Sequence, residues 1–353
     1  MGLPELWFCL VAFFFAGYFV LEGFDFGVGM LLPFLPRDEA ERGAMFRSIG
    51  PVWDGNEVWL VVAGGVMFAA FPAWYATMFS GFYIALLLLL VFLIVRVLSF
   101  EWRERYEDSR WLGLWSWANT VGSVGASLIW GVAFANLLYG VPINSGGDFD
   151  GSFWDLFSVY TVLGGIAVVL LFAFHGATYL TLRTTGTLCR RAAVAARRLS
   201  LAAAVVGAVF LIWTVAVAVD RNDKDVFPPL LPALLAIAAL LGAVACVRIG
   251  RSGWSFAFTA AATVLLVATI FTSLYPRVMV SSTDFSNSLT IDNASSAHYT
   301  LAVLSVVALI VAPLVLLYQG WTYHVFRARV GGDEVHEEPT ADLPPEAATG
   351  AAL

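Results

Sequence analysis

Long apolar runs constrain this chain more than any other feature. Crossing a bilayer as a helix takes about 20 predominantly apolar residues. The hydrocarbon layer holds no water to satisfy backbone polar groups, so a spanning segment must satisfy its own, as a helix does. Nine runs meet the length, at roughly 5–34, 52–71, 74–99, 111–138, 155–184, 199–219, 228–248, 254–275 and 299–326. Of the 353 residues, 60% are hydrophobic and 13% charged, which excludes an ordinary soluble domain. The expectation is an all-α polytopic membrane protein with nine transmembrane helices. The first run is longer than a bilayer requires, so it tilts or ends in an interfacial segment near Pro33 and Pro36. Phe71-Pro72-Ala73 makes a very short hairpin between the second and third runs.

Basic residues set the orientation, because cytoplasmic loops carry an excess of them. Arg37, Arg42 and Arg47 follow run one, Arg103, Arg105 and Arg110 run three, and Arg183, Arg190, Arg191, Arg197 and Arg198 run five. Arg248 and Arg251 follow run seven, and Arg327 and Arg329 run nine. The alternate loops hold only Arg221, Lys224 and Arg277. This asymmetry places the N-terminus outside and the C-terminus in the cytoplasm. Residues 1–329 form the transmembrane unit, and 330–353, with Asp333, Glu334, Glu337, Glu338 and several prolines, read as a disordered acidic cytoplasmic tail. The outer segments 140–154 and 276–298 are rich in turn formers, and the second is expected to pack over the external face. The net charge of −7 comes largely from the tail and the loops of one side, so it implies no nucleic-acid surface. Cys9, Cys189 and Cys246 are far apart and are expected to be free thiols. With no basic n-region and no A-x-A cleavage site, the first run reads as a retained span.

Two acidic stretches break the apolar pattern. Trp53-Asp54-Gly55-Asn56-Glu57-Val58-Trp59-Leu60 opens the second run, and Glu22-Gly23-Phe24-Asp25-Phe26-Gly27-Val28-Gly29-Met30-Leu31 lies inside the first. In each, two acids stand three apart and share a helix face. An ionised carboxylate near mid-bilayer costs roughly 3 kcal/mol or more, so such residues mark a shared polar interior and point to proton or cation handling. By the orientation above, Asp54 sits near the cytoplasmic mouth and Asp25 deeper. A plainer role for Asp54 is a polar cap at the membrane edge.

Other polar positions carry two readings each. His175, in run five, is either a haem ligand or a histidine hydrogen-bonded to a neighbouring helix or lying in a water pocket; the other three, His298, His324 and His336, offer no partner at matching depth. Arg96 either snorkels to the cytoplasmic surface or pairs with Asp54 or Glu57. Trp53, Trp59, Trp74, Trp102, Trp111, Trp115 and Trp117 cluster at run ends as an interfacial aromatic belt. Gly23 with Gly27, and Ser123 with Ser127, are small-xxx-small pairs suited to close helix packing within the chain or against a subunit.

The acidic stretches recur in order with Ser80-Gly81-Phe82-Tyr83, Gly131-Val132-Ala133-Phe134-Ala135-Asn136-Leu137-Leu138-Tyr139-Gly140-Val141-Pro142 and Gly176-Ala177-Thr178-Tyr179-Leu180. From about residue 10 to 325 the chain resembles subunit II of the cytochrome bd-type quinol oxidases. The resemblance implies two four-helix bundles plus one peripheral helix, and a partner, subunit I, that carries two b-type haems, one d-type haem and the quinol site. It implies that this chain ligates no haem, and it leaves open a structural quinone and small single-span accessory subunits. It implies a complex in a bacterial plasma membrane that oxidises menaquinol or ubiquinol and reduces dioxygen to water, electrogenic without pumping. Asp54 with Trp53 beside it matches the family's proton-path acid, Asp25 and Glu22 match the other acidic motif, and Glu57 stands where some relatives have an amide. Asn56, Arg96 and His175 are candidate supporting polar groups. The competing reading from the buried acids alone is a proton-coupled transporter; the runs show no matched pair of interrupted helices that such a transporter would use.

Overall fold

The computed structural model describes residues 2–331. Within them the backbone closes its hydrogen bonds almost entirely in helices, as lipid demands. These are α1 (Leu3–Leu31), α2 (Glu39–Ile49), α3 (Trp53–Ala70), α4 (Pro72–Gly81), α5 (Tyr83–Trp102), α6 (Ser109–Tyr139), α7 (Val159–Arg183), α8 (Gly186–Asn222), α9 (Phe227–Arg248), α10 (Ser252–Leu274) and α11 (His298–Val325). Eight of them, α1 and α5 to α11, are long and apolar enough to cross a membrane. The remaining expected span, α3, is 18 residues long, and Asp54, Asn56 and Glu57 in its opening turns lower its hydropathy. The tail read at 330–353 lies outside the described residues apart from Val330 and Gly331. Val330 N donates to Arg183 O at 2.7 Å, which docks this short segment beside the end of α7.

Counting apolar runs hid three features. The first is α2, whose charged residues break any run. Asp38 caps it by accepting from Glu41 N, and it buries Ala44, Met45, Phe46 and Ile49 beneath a polar surface. The second is a break in the third run at Phe82, whose φ of −97° and ψ of 18° separate α4 from α5. Pro72 starts α4, where its missing N–H costs nothing. The third is the length of α8. Its 37 residues extend well before the run read at 199–219, because Arg190, Arg191, Arg197 and Arg198 are helical but not apolar.

α1 lies at the centre, against α3, α6, α7 and α10. α5 packs on α6, and α7, α8, α9 and α10 pack successively. Glycine permits the closest approaches. A Cβ on Gly27 would lie 1.9 Å from Phe172 O and 2.7 Å from Gly176 N, so α1 meets α7 backbone to backbone. A Cβ on Gly131 would lie 2.4 Å from Gly164 O, and α6 meets α7 the same way. The small pair containing Gly27 thus packs within the chain. The aromatic belt holds for Trp102 and Trp117, which are exposed, but not for Trp59 and Trp74, which are 7% and 1% exposed. Trp59 is in the core because its ring covers Gly17, where a Cβ would come within 2.1 Å.

α11 is peripheral: Leu301 is its only buried residue. Trp7 Nε1 ties one end of it, donating to Leu301 O at 3.1 Å and Ser305 Oγ at 3.0 Å. Between α11, α1 and α3 lies an apolar cavity of about 390 Å³ lined by Phe14, Trp59, Val62, Val307 and Val311.

The two loop segments at one end of the bundle are laced together. Val141 N donates to Val280 O and Ser282 N to Val141 O, and Thr283 Oγ1 and Asn287 Nδ2 both donate to Ile143 O. A two-stranded antiparallel sheet, β1 (Arg277–Met279) with β2 (Leu289–Thr290), completes this cover. At the opposite end α2 is clamped by charge: Glu41 pairs with Arg191 of α8, and Glu39 with Arg42 and Arg103.

Candidate functional site: a buried carboxyl cluster around Arg96

Near the α2 end of the bundle, three helices bring four ionisable side chains together. The i, i+3 spacing on α1 puts Glu22 and Asp25 on one face, and both are 0% exposed. From α5 comes Arg96, also 0% exposed, so the snorkelling reading fails. Its helix is held against α6 by Asn119 Nδ2, which donates to Ser99 Oγ at 2.7 Å. Close packing at Gly122 keeps Arg96 inside: a Cβ there would lie 3.1 Å from Arg96 Cβ.

Arg96 Nη1 lies 2.6 Å from Glu22 Oε1 and 3.9 Å from Glu57 Oε1 of α3. Its guanidinium also sits 4.8 Å from the ring centre of Phe26 and 5.7 Å from that of Phe100. Trp53 stacks on the same Phe100 at 5.0 Å and 10°. Trp53 therefore walls the cluster instead of only marking an interface. Asn56, 0% exposed, donates through Nδ2 to Asp25 Oδ2 at 2.7 Å.

The cluster holds three carboxyls and one guanidinium. Charge neutrality therefore requires two protons on the carboxyls, and unpaired charge in such surroundings is expensive. Among the described residues, Glu22 Oε2, Asp25 Oδ1 and Glu57 Oε1 are buried without a hydrogen-bond partner, as are Arg96 Nε and Nη2. Such an arrangement is chemically suited to hold and exchange protons.

Asp54 stands apart. It is exposed in the first turn of α3 and has no ion pair with Arg96, while Glu57 on the same helix reaches inward and is 19% exposed at its side chain. Of the two partners considered for Arg96, the structure selects Glu57, and it adds Glu22, which spacing alone did not pair with it.

Across 324 positions, residues 3–326, the chain matches the family model for cytochrome bd terminal oxidase subunit II. The chain belongs to that family. It is 42% identical over 344 residues to the cytochrome bd ubiquinol oxidase subunit 2 of Bacillus subtilis (strain 168), covering 96% of this chain and 98% of that protein. It is 35% identical over 365 residues to the cytochrome bd-I ubiquinol oxidase subunit 2 of Escherichia coli (strain K12), covering 94% and 96% respectively. A chain of the structure of bd oxidase from Geobacillus thermodenitrificans shares the fold, with a TM-score of 0.71 over 92% of this chain and 99% of that one at 17% identity. Family membership decides against the transporter reading.

In this bd oxidase subunit His175 is committed within the chain. Nε2 lies 3.1 Å from Val20 O and Nδ1 2.7 Å from Thr259 Oγ1, and the ring stacks on Phe256 at 4.6 Å. A carbonyl can only accept, so Nε2 carries the proton and donates to Val20 O, while Nδ1 faces the Thr259 hydroxyl, which also lies 2.9 Å from Phe256 O. Both ring nitrogens thus have partners within the chain.

Two residues near the cluster escaped the sequence reading. Gln319 Nε2 and Tyr323 Oη, both on α11, donate to Asn56 Oδ1 at 3.0 Å and 2.7 Å. An amide inside an apolar run, with a tyrosine four residues on, was the available signal.

Proposed function

We propose that this chain is the haem-free, proton-conducting subunit of a cytochrome bd-type quinol:oxygen oxidoreductase in a bacterial plasma membrane, paired with a haem-bearing subunit I. The two b-type haems and one d-type haem of subunit I supply quinol oxidation and dioxygen reduction. The single observation that carries the reading is the fully buried Glu22–Asp25–Arg96 group with Glu57 at its edge. A purely structural core has no need of three carboxyls around one cation.

On this reading the chain crosses the membrane nine times, with α3 as the second crossing and α4 and α5 together as the third. α1, α3, α4 with α5, and α6 form one four-helix bundle, α7 to α10 the other, and α11 is peripheral. The N-terminus is outside and the α2 end is cytoplasmic, which the arginine asymmetry supports. Residues 1–329 act as one transmembrane unit. Asp54, exposed at the mouth, collects protons. Glu57, part-exposed, and the water that reaches it both pass them inward, and Asp25 and Glu22 hold them beside Arg96. Uptake from the cytoplasm makes turnover electrogenic without a pump. The apolar cavity beside α11, with Gln319 at its lining, fits a structural quinone.

The test is oxygen uptake by the intact complex, normalised to d-type haem, for Asp25→Asn and Asp54→Asn across pH. Both variants are expected to assemble with full haem and to turn over more slowly, Asp25→Asn more so because a buried site has fewer water bypasses. Unchanged normalised rates in both would end the reading.

A further inference from the structure

The Asn56 side chain hydrogen-bonds both the acid cluster and α11. Its amide is fully engaged. Nδ2 donates to Asp25 Oδ2 at 2.7 Å and lies 3.4 Å from Leu21 O, while Oδ1 accepts from Gln319 Nε2 and Tyr323 Oη. An asparagine amide can turn over, exchanging its carbonyl and amino ends with little change of shape. Tyr323 Oη and the Gln319 amide could each serve either end, but Leu21 O can only accept, so it holds the amino end on the α1 side while the two α11 donors satisfy the carbonyl end.

The geometry of α11 shows that this contact is not incidental packing. Leu301 is the only buried residue on the helix, and an apolar cavity separates much of its length from α1 and α3. α11 is held by side-chain hydrogen bonds at two levels, to Trp7 and to Asn56. Gln319 reaches Asn56 by lying across Gly55, where a Cβ would sit 3.5 Å from Gln319 Oε1.

We propose that Gln319 and Tyr323 are positioning residues that, together with Leu21 O, lock the Asn56 amide, so that Asp25 receives a donor on Oδ2 and exchanges its proton at Oδ1. Asp25 Oδ1 is buried and without a hydrogen-bond partner, which leaves it as the oxygen where a proton can add. Were the amide to turn, its carbonyl would face Asp25 and accept that proton as a hydrogen bond at Oδ2, which removes the free site. The peripheral helix thereby sets which oxygen of Asp25 is open to exchange. This inference rests on the proton-path reading for its effect on turnover, but not for its effect on Asp25 itself.

The experiment uses the complex purified from its native membrane. Infrared difference spectra identify protonated Asp25 by the carboxyl band that Asp25→Asn removes. In Tyr323→Phe and Gln319→Leu that band is expected to move to higher wavenumber, because the carbonyl oxygen loses its donor. Oxygen uptake per d-type haem should fall about three- to tenfold, the scale of one lost positioning hydrogen bond. Leu317→Ala, on the exposed side of the same helix, should leave band and rate at wild-type values. In an Asn56→Ala background Tyr323→Phe should add nothing further, since its effect passes through Asn56. An unmoved band in both α11 variants, or full additivity with Asn56→Ala, overturns the proposal. Should Asn56→Ala fail to assemble, the band shifts in the α11 variants decide alone. Should Asp25→Asn and Asp54→Asn both leave turnover unchanged, the proton path fails while the band still tests the lock.

Discussion

Glu22 and Arg96 are both completely buried, with Glu22 Oε1 2.6 Å from Arg96 Nη1. Removing one member of such a pair typically costs about 3–5 kcal/mol, because the other is left as an uncompensated buried charge. Arg96→Leu is expected to reduce the yield of haem-loaded complex sharply and lower its melting temperature. Glu22→Gln should be milder, since Glu57 still faces the guanidinium at 3.9 Å. Thermal melts of the two purified complexes check the order.

The third carboxyl should matter less than the deeper two. Glu57 is 3.9 Å from Arg96 and its side chain keeps 19% exposure, so water reaches it. For Glu57→Gln we expect normalised oxygen uptake within about twofold of wild type, the scale of a weak, solvent-screened pair. A loss as deep as that of Asp25→Asn would make Glu57 an obligatory carrier instead.

Backbone contact between α1 and α7 gives a packing prediction. Any side chain on Gly27 meets Phe172 O and the Gly176 backbone, which cannot rotate away as a side chain would. Gly27→Val should push the helices apart and destabilise by about 1–3 kcal/mol or more. A Cβ on Gly113 meets nothing within 4 Å, so Gly113→Ala should be silent. Yields of assembled complex on native gels compare the two.

The α2 clamp has a pH signature. The Arg191 guanidinium holds the Glu41 carboxyl down to about 2 from an ordinary 4.5, helped by Arg37 N and Thr187 Oγ1. Because the folded value is depressed, the ionised carboxylate contributes its full stability above about 4.5 and loses it as the pH falls towards 2. Glu41→Gln should therefore melt earlier than wild type at neutral pH, and the gap should close as the pH falls through that window. A gap independent of pH would count against the ion pair.

His175→Ala should leave the visible haem spectrum of the assembled complex unchanged. It should still cost about 1–3 kcal/mol of stability, since Val20 O and Thr259 Oγ1 lose a buried partner. Loss of one haem's absorption with assembly intact would make His175 a ligand.

What could be read without coordinates was whatever repeats along the chain. Apolar runs located the long helices, because a lipid-crossing backbone has one local solution. The i, i+3 spacing put Glu22 and Asp25 on one face for the same reason. Where a segment mixed charge with apolar residues, as in α2 and the first part of α8, a run-length rule passed over it. The break at Phe82 follows Ser80-Gly81, a turn-prone pair, but a run-length rule reads through two such residues inside an apolar run.

Partnership was decided only by the tertiary structure. Nothing in the residues around Arg96 distinguishes a snorkelling arginine from one buried against Glu22, because both are an arginine near the end of an apolar run. Asn56 beside Asp54 and Glu57 looked like one more polar residue of a helix start. Only the packing of α3 on α1 turns it inward to Asp25, and only α11, from the far end of the chain, supplies Gln319 and Tyr323 to its other face. Local periodicity determines which face of a helix a side chain occupies; which helix that face meets depends on contacts that no local pattern encodes.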